Sequence, residues 1–251
     1  MKNYRKNQFS KQVKIERSDI NLYIKTMYEK LKEIAFNEGA VLFGVADMKK
    51  YKKEVYQLKK SILEELPFGI SVAVRLSKEI LNDIDDHPTK LYFYHYRQVN
   101  YLLDRIALKI ASFLQKNGYR SLPIPASQTI DWEKQRGHIS HKEIARLAGL
   151  GWIGRNNLLV NKKYGSQIRL VSILTDMELP TGSEVEFSCG NCYACMNVCP
   201  ANAIKERPED FDHISCYRKL DEFRRKYGVG HHICGICVKV CFPAFPEKRK
   251  L

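Results

Sequence analysis

The stretch CGNCYACMNVCP, residues 189–200, organises the carboxyl-terminal part of this chain. Its four cysteines are spaced C-x2-C-x2-C-x3-C and are followed by a proline. In bacterial iron–sulfur proteins this run binds a [4Fe-4S] cluster through its first three cysteines, while the fourth binds a neighbouring cluster. The spacing therefore predicts that Cys189, Cys192 and Cys195 share one cluster and that Cys199 serves a second one.

The other cysteines complete two sets of four thiolates. The shorter spacing C-x2-C-x3-C recurs at Cys234, Cys237 and Cys241, and Cys216 stands alone between the two runs. Crossed ligation assigns the last cysteine of each run to the cluster of the other run. The predicted ligand sets are Cys189, Cys192, Cys195 and Cys241 for the first cluster, and Cys199, Cys216, Cys234 and Cys237 for the second.

Two other uses of eight cysteines compete with this interpretation. Four disulfides are disfavoured because the chain opens with the polar MKNYRKNQ and because no cysteine lies outside residues 189–241. Two zinc sites of four thiolates each remain an alternative, since zinc also binds C-x2-C pairs. The C-x2-C-x2-C-x3-C-P run is unusual for zinc and favours iron–sulfur clusters.

Charge and composition limit the classes of partner. The chain has 251 residues, with 42 Lys and Arg against 28 Asp and Glu, and a formal net charge of +14. An excess of this size favours polyanions, so tRNA or another polyanion is an expected partner. Part of the charge lies in a basic amino-terminal arm, residues 1–18. No apolar run reaches the roughly 18 residues of a membrane span, and we expect a cytoplasmic protein without membrane contact.

Apolar periodicity predicts an α+β domain over residues 19–180. Apolar residues at three- and four-residue spacing indicate helices, and short apolar runs bounded by Gly or Pro indicate strands. Because the two kinds of element alternate, an α/β sandwich is the expected architecture. The predicted helices cover residues 18–39, 50–66, 89–116 and 140–148, with a short one after residue 77, and the predicted strands cover residues 40–48, 70–76, 119–125 and 166–175.

The segment GLGWIG, residues 149–154, spells the G-x-G-x-x-G pattern of dinucleotide sites. Such a fingerprint must follow a strand and open a helix, whereas these glycines follow a predicted helix and lead into the strand-like NNLLVN. The pattern therefore does not predict a nucleotide site. NNLLVN and IRLVSILT flank a turn at residues 161–165 and are predicted to pair as a hairpin. Residues 179–182 form the predicted boundary with a cluster module, residues 181–251.

The run AGLGWIGRNNLLVNKKYGSQIRLVSILTDMELP, residues 148–180, joined to CGNCYACMNVCPANAI, resembles the epoxyqueuosine reductase family. That family combines a cobalamin-binding domain of nitroreductase-like fold, related to reductive dehalogenases, with a ferredoxin-like module of two [4Fe-4S] clusters. The resemblance implies the same α+β sandwich and the same cofactors here. It also implies that part of the corrinoid pocket is built by Gly151, Trp152, Gly154, Arg155, Asn156, Gly165 and Ser166. A tight helix-to-strand turn is the alternative role for these glycines.

The sequence departs from the family pattern in two places. The family's catalytic aspartate lies about a dozen residues before AGLGW, where counting back reaches Gln135. Asp131, His138 and His141 are the nearby candidates for a proton donor. The tRNA-modifying members also continue into a helical repeat extension that contacts RNA, whereas this sequence ends at Leu251.

Two functions follow as expectations. In the first, a low-potential donor protein supplies electrons to the two clusters, which pass them to a corrinoid that reduces a substrate beside a proton donor. In the second, the chain is an electron carrier or reductive activator of another corrinoid or metal protein. A reductase requires a substrate-sized cavity beside the corrinoid, whereas a carrier requires an exposed cluster edge. An RNA-binding protein with structural clusters would draw only on the net charge, and no RNA-reading motif is present.

Overall fold

A four-stranded antiparallel sheet forms the centre of the molecule, for which a computed structural model describes residues 17–242. The strand order is β1-β2-β6-β3, and every neighbouring pair is antiparallel. A separate two-stranded ribbon joins β4 to β5. The strands are β1 Leu42–Asp47, β2 Phe68–Arg75, β3 Ser121–Ile124, β4 Trp152–Ile153, β5 Leu159–Val160 and β6 Ile168–Thr175.

Helices cover both faces of the sheet. Helices α1 (Arg17–Asn37) and α4 (Lys90–Lys116) contribute to the core on one face, and α5 (His141–Leu147) contributes to the core on the other. Alternate residues of β2 supply the two cores, so that Val72 faces α4 and Ala73 faces α5. The mixed α/β architecture predicted from the alternating elements is thereby confirmed. Two short helices, α2 Ile62–Glu65 and α3 Lys78–Asn82, lie in the connections.

The longest predicted helix is confirmed almost to the residue. Its N-cap, Thr89, accepts a hydrogen bond from the backbone N–H of Tyr92 at 3.1 Å. One apolar stripe is fully buried because it faces the sheet and α1. Its fully buried members include Leu103, Ile106, Ile110 and Leu114.

Two local predictions were wrong. The helix predicted over residues 50–66 is replaced by a 3-10 turn at Met48–Lys50, an irregular stretch and the four-residue α2. This lysine-rich segment has no fully buried residue after Tyr51 and before Leu66. Side chains such as Val55 and Leu58 pack against the core while only partly buried, which does not fix a continuous helix there. The predicted hairpin is also wrong, because β5 pairs with β4 and β6 is a central strand between β2 and β3.

The described part of the carboxyl-terminal module, residues 181–242, is built from loops and short helices and contains no strand. Its helices are α6 Ala194–Asn197, α7 His213–Tyr227 and α8 Ile236–Lys239, with a 3-10 turn at Pro208–Asp210. Apolar side chains of α7 and α8, including Phe223 and Ile236, belong to the same core as α4 and the sheet. The module and the α/β domain are therefore packed together as one unit.

Two expectations concern the ends and the membrane. The basic arm predicted at residues 1–18 lies outside the described residues except for Arg17 and Ser18, which begin α1. Within residues 17–242, no helix combines the length and the apolar character needed to cross a membrane.

Candidate functional site

Four cysteines from both ends of the module meet in what we call the first thiol group: Cys189, Cys192, Cys195 and Cys241. Burial raises the pKa of Cys195 to about 11, and the other three cysteines raise it further by their charge. The pKa of Cys241 is raised by burial and then by Cys189 and Cys192. The four cysteines that crossed ligation assigns to one cluster therefore lie close enough to interact through their charges. About fifty residues separate Cys241 from the other three in sequence.

The remaining cysteines form the second thiol group: Cys199, Cys216, Cys234 and Cys237. All four line a single cavity of about 290 Å³. Burial raises the pKa of Cys234 to about 12, with smaller contributions from Cys216 and Cys199. Burial likewise raises the pKa of Cys237, which also interacts with Cys195 of the first group. The two thiol groups are therefore adjacent.

Matching turns present the cysteines of the two groups. Each run contains Cys-Gly-x-Cys, and both glycines have positive φ, 49° at Gly190 and 84° at Gly235. A bulky residue at Gly235 is further excluded because an added Cβ lies 2.5 Å from Ile84 and 2.8 Å from Tyr92. Helix α7 adds Cys216 from its first turn, which is capped by Asp212 through the backbone N–H of Ser215 at 2.9 Å.

The arrangement of the thiol groups suits an iron–sulfur cube better than a single metal ion. Iron binds thiolates, so cluster insertion must displace the protons that burial holds on these thiols. Within the described chain no three His, Cys, Asp or Glu side chains converge closely enough to hold one metal ion. The four thiolates of a [4Fe-4S] cube each bind a different iron, which requires a wider arrangement than a single ion does.

Residues 154–156 lie against the first thiol group. An added Cβ at Gly154 would be 3.3 Å from the Cys189 sulfur and 2.5 Å from the Val160 side chain. Arg155 donates from its two terminal nitrogens to the carbonyls of Cys192 at 3.0 Å and Gly190 at 2.9 Å. Its guanidinium lies 4.3 Å from the Tyr193 ring centre, and its buried Nε–H has no hydrogen-bond partner among residues 17–242. This buried cation suits a loop that holds an anionic cluster.

Gly165 and Ser166 contact the last cysteine of the same group. The backbone N–H of Ser166 donates to the Cys241 sulfur at 3.3 Å. Gly165 has φ +57°, and a Cβ there would lie 2.0 Å from the Cys241 carbonyl oxygen. Asn156 donates to the Ser166 hydroxyl at 3.0 Å, and both residues are buried. Gly151 instead lies directly before β4 and against the end of β5, since an added Cβ would lie 2.1 Å from the Val160 carbonyl oxygen.

A cleft of about 1110 Å³ separates the sheet domain from the module, and we call it the interdomain cleft. Trp152 is the only one of the seven residues proposed from the resemblance that lines it; Asn156 lines the cavity of the second thiol group. The cleft and that cavity share part of their walls. The shared residues are Lys142, Asn157, Leu158, Arg169 and His213.

The three proton-donor candidates from the sequence differ in position, and His141 alone lines the cleft. Both of its ring nitrogens are engaged, with Ser172 Oγ at 2.9 Å and the Pro125 carbonyl at 3.1 Å, and burial lowers its pKa to about 4. His138 bonds the backbone of Tyr56 at 2.9 Å. Asp131 accepts from the Lys134 backbone N–H and from Arg136, and these bonds lower its pKa. A neutral imidazole with both nitrogens engaged and an ionised carboxylate are poor proton donors at neutral pH.

Lys142 is a cleft residue that the sequence reasoning missed. Its ammonium donates to the carbonyl of Asn157 at 2.7 Å and to the side-chain oxygen of Asn157 at 2.5 Å. Burial lowers its pKa to about 8; the charge of Lys53 lowers it further and that of Glu143 opposes the shift. Asn157 in turn donates to Nε2 of His213 at 2.9 Å. One feature of the sequence could have indicated Lys142: it is a cation in the first turn of α5, where the helix dipole disfavours positive charge.

The chain is similar in sequence to curated epoxyqueuosine reductases. Epoxyqueuosine reductase of Aliivibrio fischeri is 31% identical over 156 residues, which cover 59% of this chain and 39% of the relative. The enzyme of Escherichia coli is 36% identical over 112 residues, 41% of this chain and 29% of the relative. The chain is similar to epoxyqueuosine reductases over part of their length. The aligned regions span well under half of the curated relatives. No protein-family model matches the chain.

Solved structures give the same relationship at the level of the fold. A catabolic reductive dehalogenase in complex with 3-bromo-4-hydroxybenzoic acid superposes with a TM-score of 0.65 at 18% sequence identity. The superposition covers 85% of this chain and 31% of the dehalogenase. An epoxyqueuosine reductase with an epoxyqueuosine-modified tRNA stem loop superposes with a TM-score of 0.61 at 20% identity, over 87% and 65% of the two chains. The expected relationship to both groups of folds is confirmed.

Proposed function

We propose that the chain is a reductase in which two [4Fe-4S] clusters deliver electrons to a group bound in the interdomain cleft. The observation that carries this proposal is the wall shared by the cleft and the cavity of the second thiol group. A cluster held by that group would be separated from the cleft by single side chains such as Leu158 and Arg169. The adjacent first thiol group would extend the electron path towards the surface, where Cys192 is exposed.

Cobalamin is the cofactor that fits this cleft best. About 1110 Å³ lies just above the roughly 300 to 1,000 Å³ found for small-molecule pockets, so the space suits a large cofactor. Trp152 offers an aromatic surface and a buried Nε1–H without a partner in the described residues. Tyr51, Arg169 and Phe187 would hold the macrocycle from the other walls. When bound, the corrinoid supplies a reducible cobalt centre.

The protein's own groups would control the proton and the water in the cleft. Lys142 is held by Asn157 and lies between the cleft and the second thiol group. An amine with a pKa of about 8 remains mostly protonated at neutral pH and donates its proton more readily than an ordinary lysine. We assign the proton-donor role to Lys142, in place of Asp131, His138 and His141.

The charge of the cleft favours an anionic substrate. Six basic side chains line it, Lys53, Lys134, Arg136, Lys142, Arg146 and Arg169, against the three acidic side chains Glu54, Glu143 and Glu209. Arg136 and Arg146 are paired with carboxylates, which leaves the other four to attract a polyanion. A tRNA stem loop, as bound by a structurally similar epoxyqueuosine reductase, is the substrate class that we propose.

The alternative is an electron carrier, and the exposure of Cys192 favours it. An exposed cluster edge allows electrons to leave for another protein as easily as to enter. The cleft distinguishes the two functions, because a carrier has no use for a cofactor-sized space beside its second cluster.

Cobalamin titration of the reduced protein tests the proposal. The chain has two tryptophans, Trp152 in the cleft and Trp132 outside it, 53% exposed. We expect wild type and Trp132→Ala to bind cobalamin alike, and Trp152→Ala to bind at least about tenfold more weakly, because a buried aromatic contact contributes about 1.4 kcal/mol or more. Fluorescence of Trp132→Ala, which retains only Trp152, should be quenched on binding. A wild-type protein that binds iron but no cobalamin would favour the carrier.

A further inference from the structure

We propose that Ser166 is a positioning residue that sets the reduction potential of the first cluster, by donating its backbone N–H and presenting its hydroxyl to the sulfur of Cys241. The inference rests on the proposed function insofar as the first thiol group holds an iron–sulfur cluster. Ser166 belongs to the α/β domain, and the resemblance placed it in the corrinoid pocket. We infer that it is part of the site of the first cluster instead.

Ser166 brings two polar groups to the Cys241 sulfur. Its backbone N–H donates to that sulfur at 3.3 Å, and an interaction with its hydroxyl lowers the pKa of the Cys241 thiol. Asn156 donates its amide N–H to the Ser166 oxygen at 3.0 Å, which occupies an acceptor position and leaves the hydroxyl proton to point at the thiol. Asn156 therefore fixes the orientation of the donor.

Burial strengthens the effect of these bonds. Ser166 is 2% exposed and Asn156 is 4% exposed, so water does not compete for the sulfur at this point. A hydrogen bond to a cluster sulfur stabilises the reduced cluster more than the oxidised one, because reduction adds negative charge. The backbone N–H and the hydroxyl of Ser166 should therefore raise the potential of the first cluster.

The neighbouring glycine explains how the domain comes so close to the cysteine. Gly165 has φ +57°, and any Cβ at this position would lie 2.0 Å from the Cys241 carbonyl oxygen and 3.4 Å from its sulfur. Only glycine allows the backbone to bring the Ser166 N–H within reach of the thiol.

The second thiol group has no equivalent partner in the α/β domain among the described hydrogen bonds. The Ile236 backbone N–H, which lies in the same turn as Cys234, lowers the pKa of that thiol. Ser166 should therefore act on one cluster and leave the other unchanged. This asymmetry makes the inference testable by a difference between the two clusters of one protein.

The test is a potentiometric titration of the anaerobic protein followed by electron paramagnetic resonance, with iron analysis of each sample. Ser166→Ala should keep about eight irons and shift the midpoint potential of one cluster to a more negative value. Asn156→Ala should shift the same midpoint less, because the Ser166 hydroxyl remains and loses only the contact that orients it. Ser71→Ala is the matched control, since Ser71 is a fully buried serine whose hydroxyl has no partner in the described residues; neither midpoint should move.

The outcomes separate this inference from the proposed function. If Ser166→Ala retains its iron and both midpoints match wild type, Ser166 has no role in tuning and the inference is overturned. A shift confined to the cluster that Cys237→Ala removes would overturn it as well. Selective loss of the cluster that Cys241→Ala removes would support a role for Ser166 in that site. Wild-type protein without iron would overturn both the proposed function and this inference.

Discussion

Replacing Cys241 by alanine should remove the cluster held by Cys189, Cys192 and Cys195, and lower the iron content from about eight to about four per chain. The physical reason is that these four thiols are neighbours in the folded protein, with Cys241 also held by Ser166. The remaining iron should give the spectrum of one intact [4Fe-4S] cluster. Iron analysis and electron paramagnetic resonance of the reduced mutant protein measure both quantities.

Cys237→Ala is the matched comparison, because Cys237 lies in the same turn region but lines the cavity of the second thiol group. It should remove the other cluster, so the two single mutants should have complementary spectra. A Cys241→Ala protein that keeps the first cluster and loses the one bound by Cys234 and Cys237 would show that ligation is local rather than crossed.

Lys142→Gln should reduce turnover by about 100-fold or more, the contribution typical of a positioned general acid. Wild-type turnover of an epoxyqueuosine-modified tRNA stem loop should be level below neutral pH and fall as pH rises through about 8, because the protonated amine is the active form. The mutant should not show this decrease in turnover at high pH, which is the basic limb of the pH profile. Charges that act on the amine are those of Lys53 and Glu143, and His213 is linked to it through Asn157.

Lys134→Gln provides the control for charge alone, since Lys134 lines the same cleft. It should weaken binding of the stem loop, which would appear as a higher KM, and leave the pH dependence of kcat unchanged. A Lys142→Gln protein with wild-type turnover and the same basic limb would exclude Lys142 as the acid.

The fold was predictable where burial on both sides of an element leaves a pattern in the sequence. Strand β2 is apolar along nearly its whole length, and α4 carries one apolar stripe after a threonine cap. The helix predicted from residue 50 did not form, because Val55 and Leu58 are only partly buried against the core and the lysines around them add no further apolar contact. The partner of β5 was not predictable either, since two-residue strands such as Trp152–Ile153 leave no periodic signal.

The site was predictable only where chemistry imposes a spacing. Cysteine spacing led to two groups of thiols that the fold does bring together. The corrinoid residues were assigned by resemblance, and Gly154, Arg155, Gly165 and Ser166 contact the first thiol group instead of the cleft. The role proposed for Lys142 depends on its burial and on its hydrogen bond to Asn157, fifteen residues away. Neither property leaves a local pattern in the sequence.

The central claim is that this chain holds two [4Fe-4S] clusters beside the interdomain cleft. Iron, zinc and acid-labile sulfide analysis of the anaerobically purified wild-type protein tests it most directly. We expect about eight irons and about eight sulfides per chain, the content of two [4Fe-4S] clusters. About two zinc ions per chain with no sulfide, the content of two four-thiolate zinc sites, would contradict it.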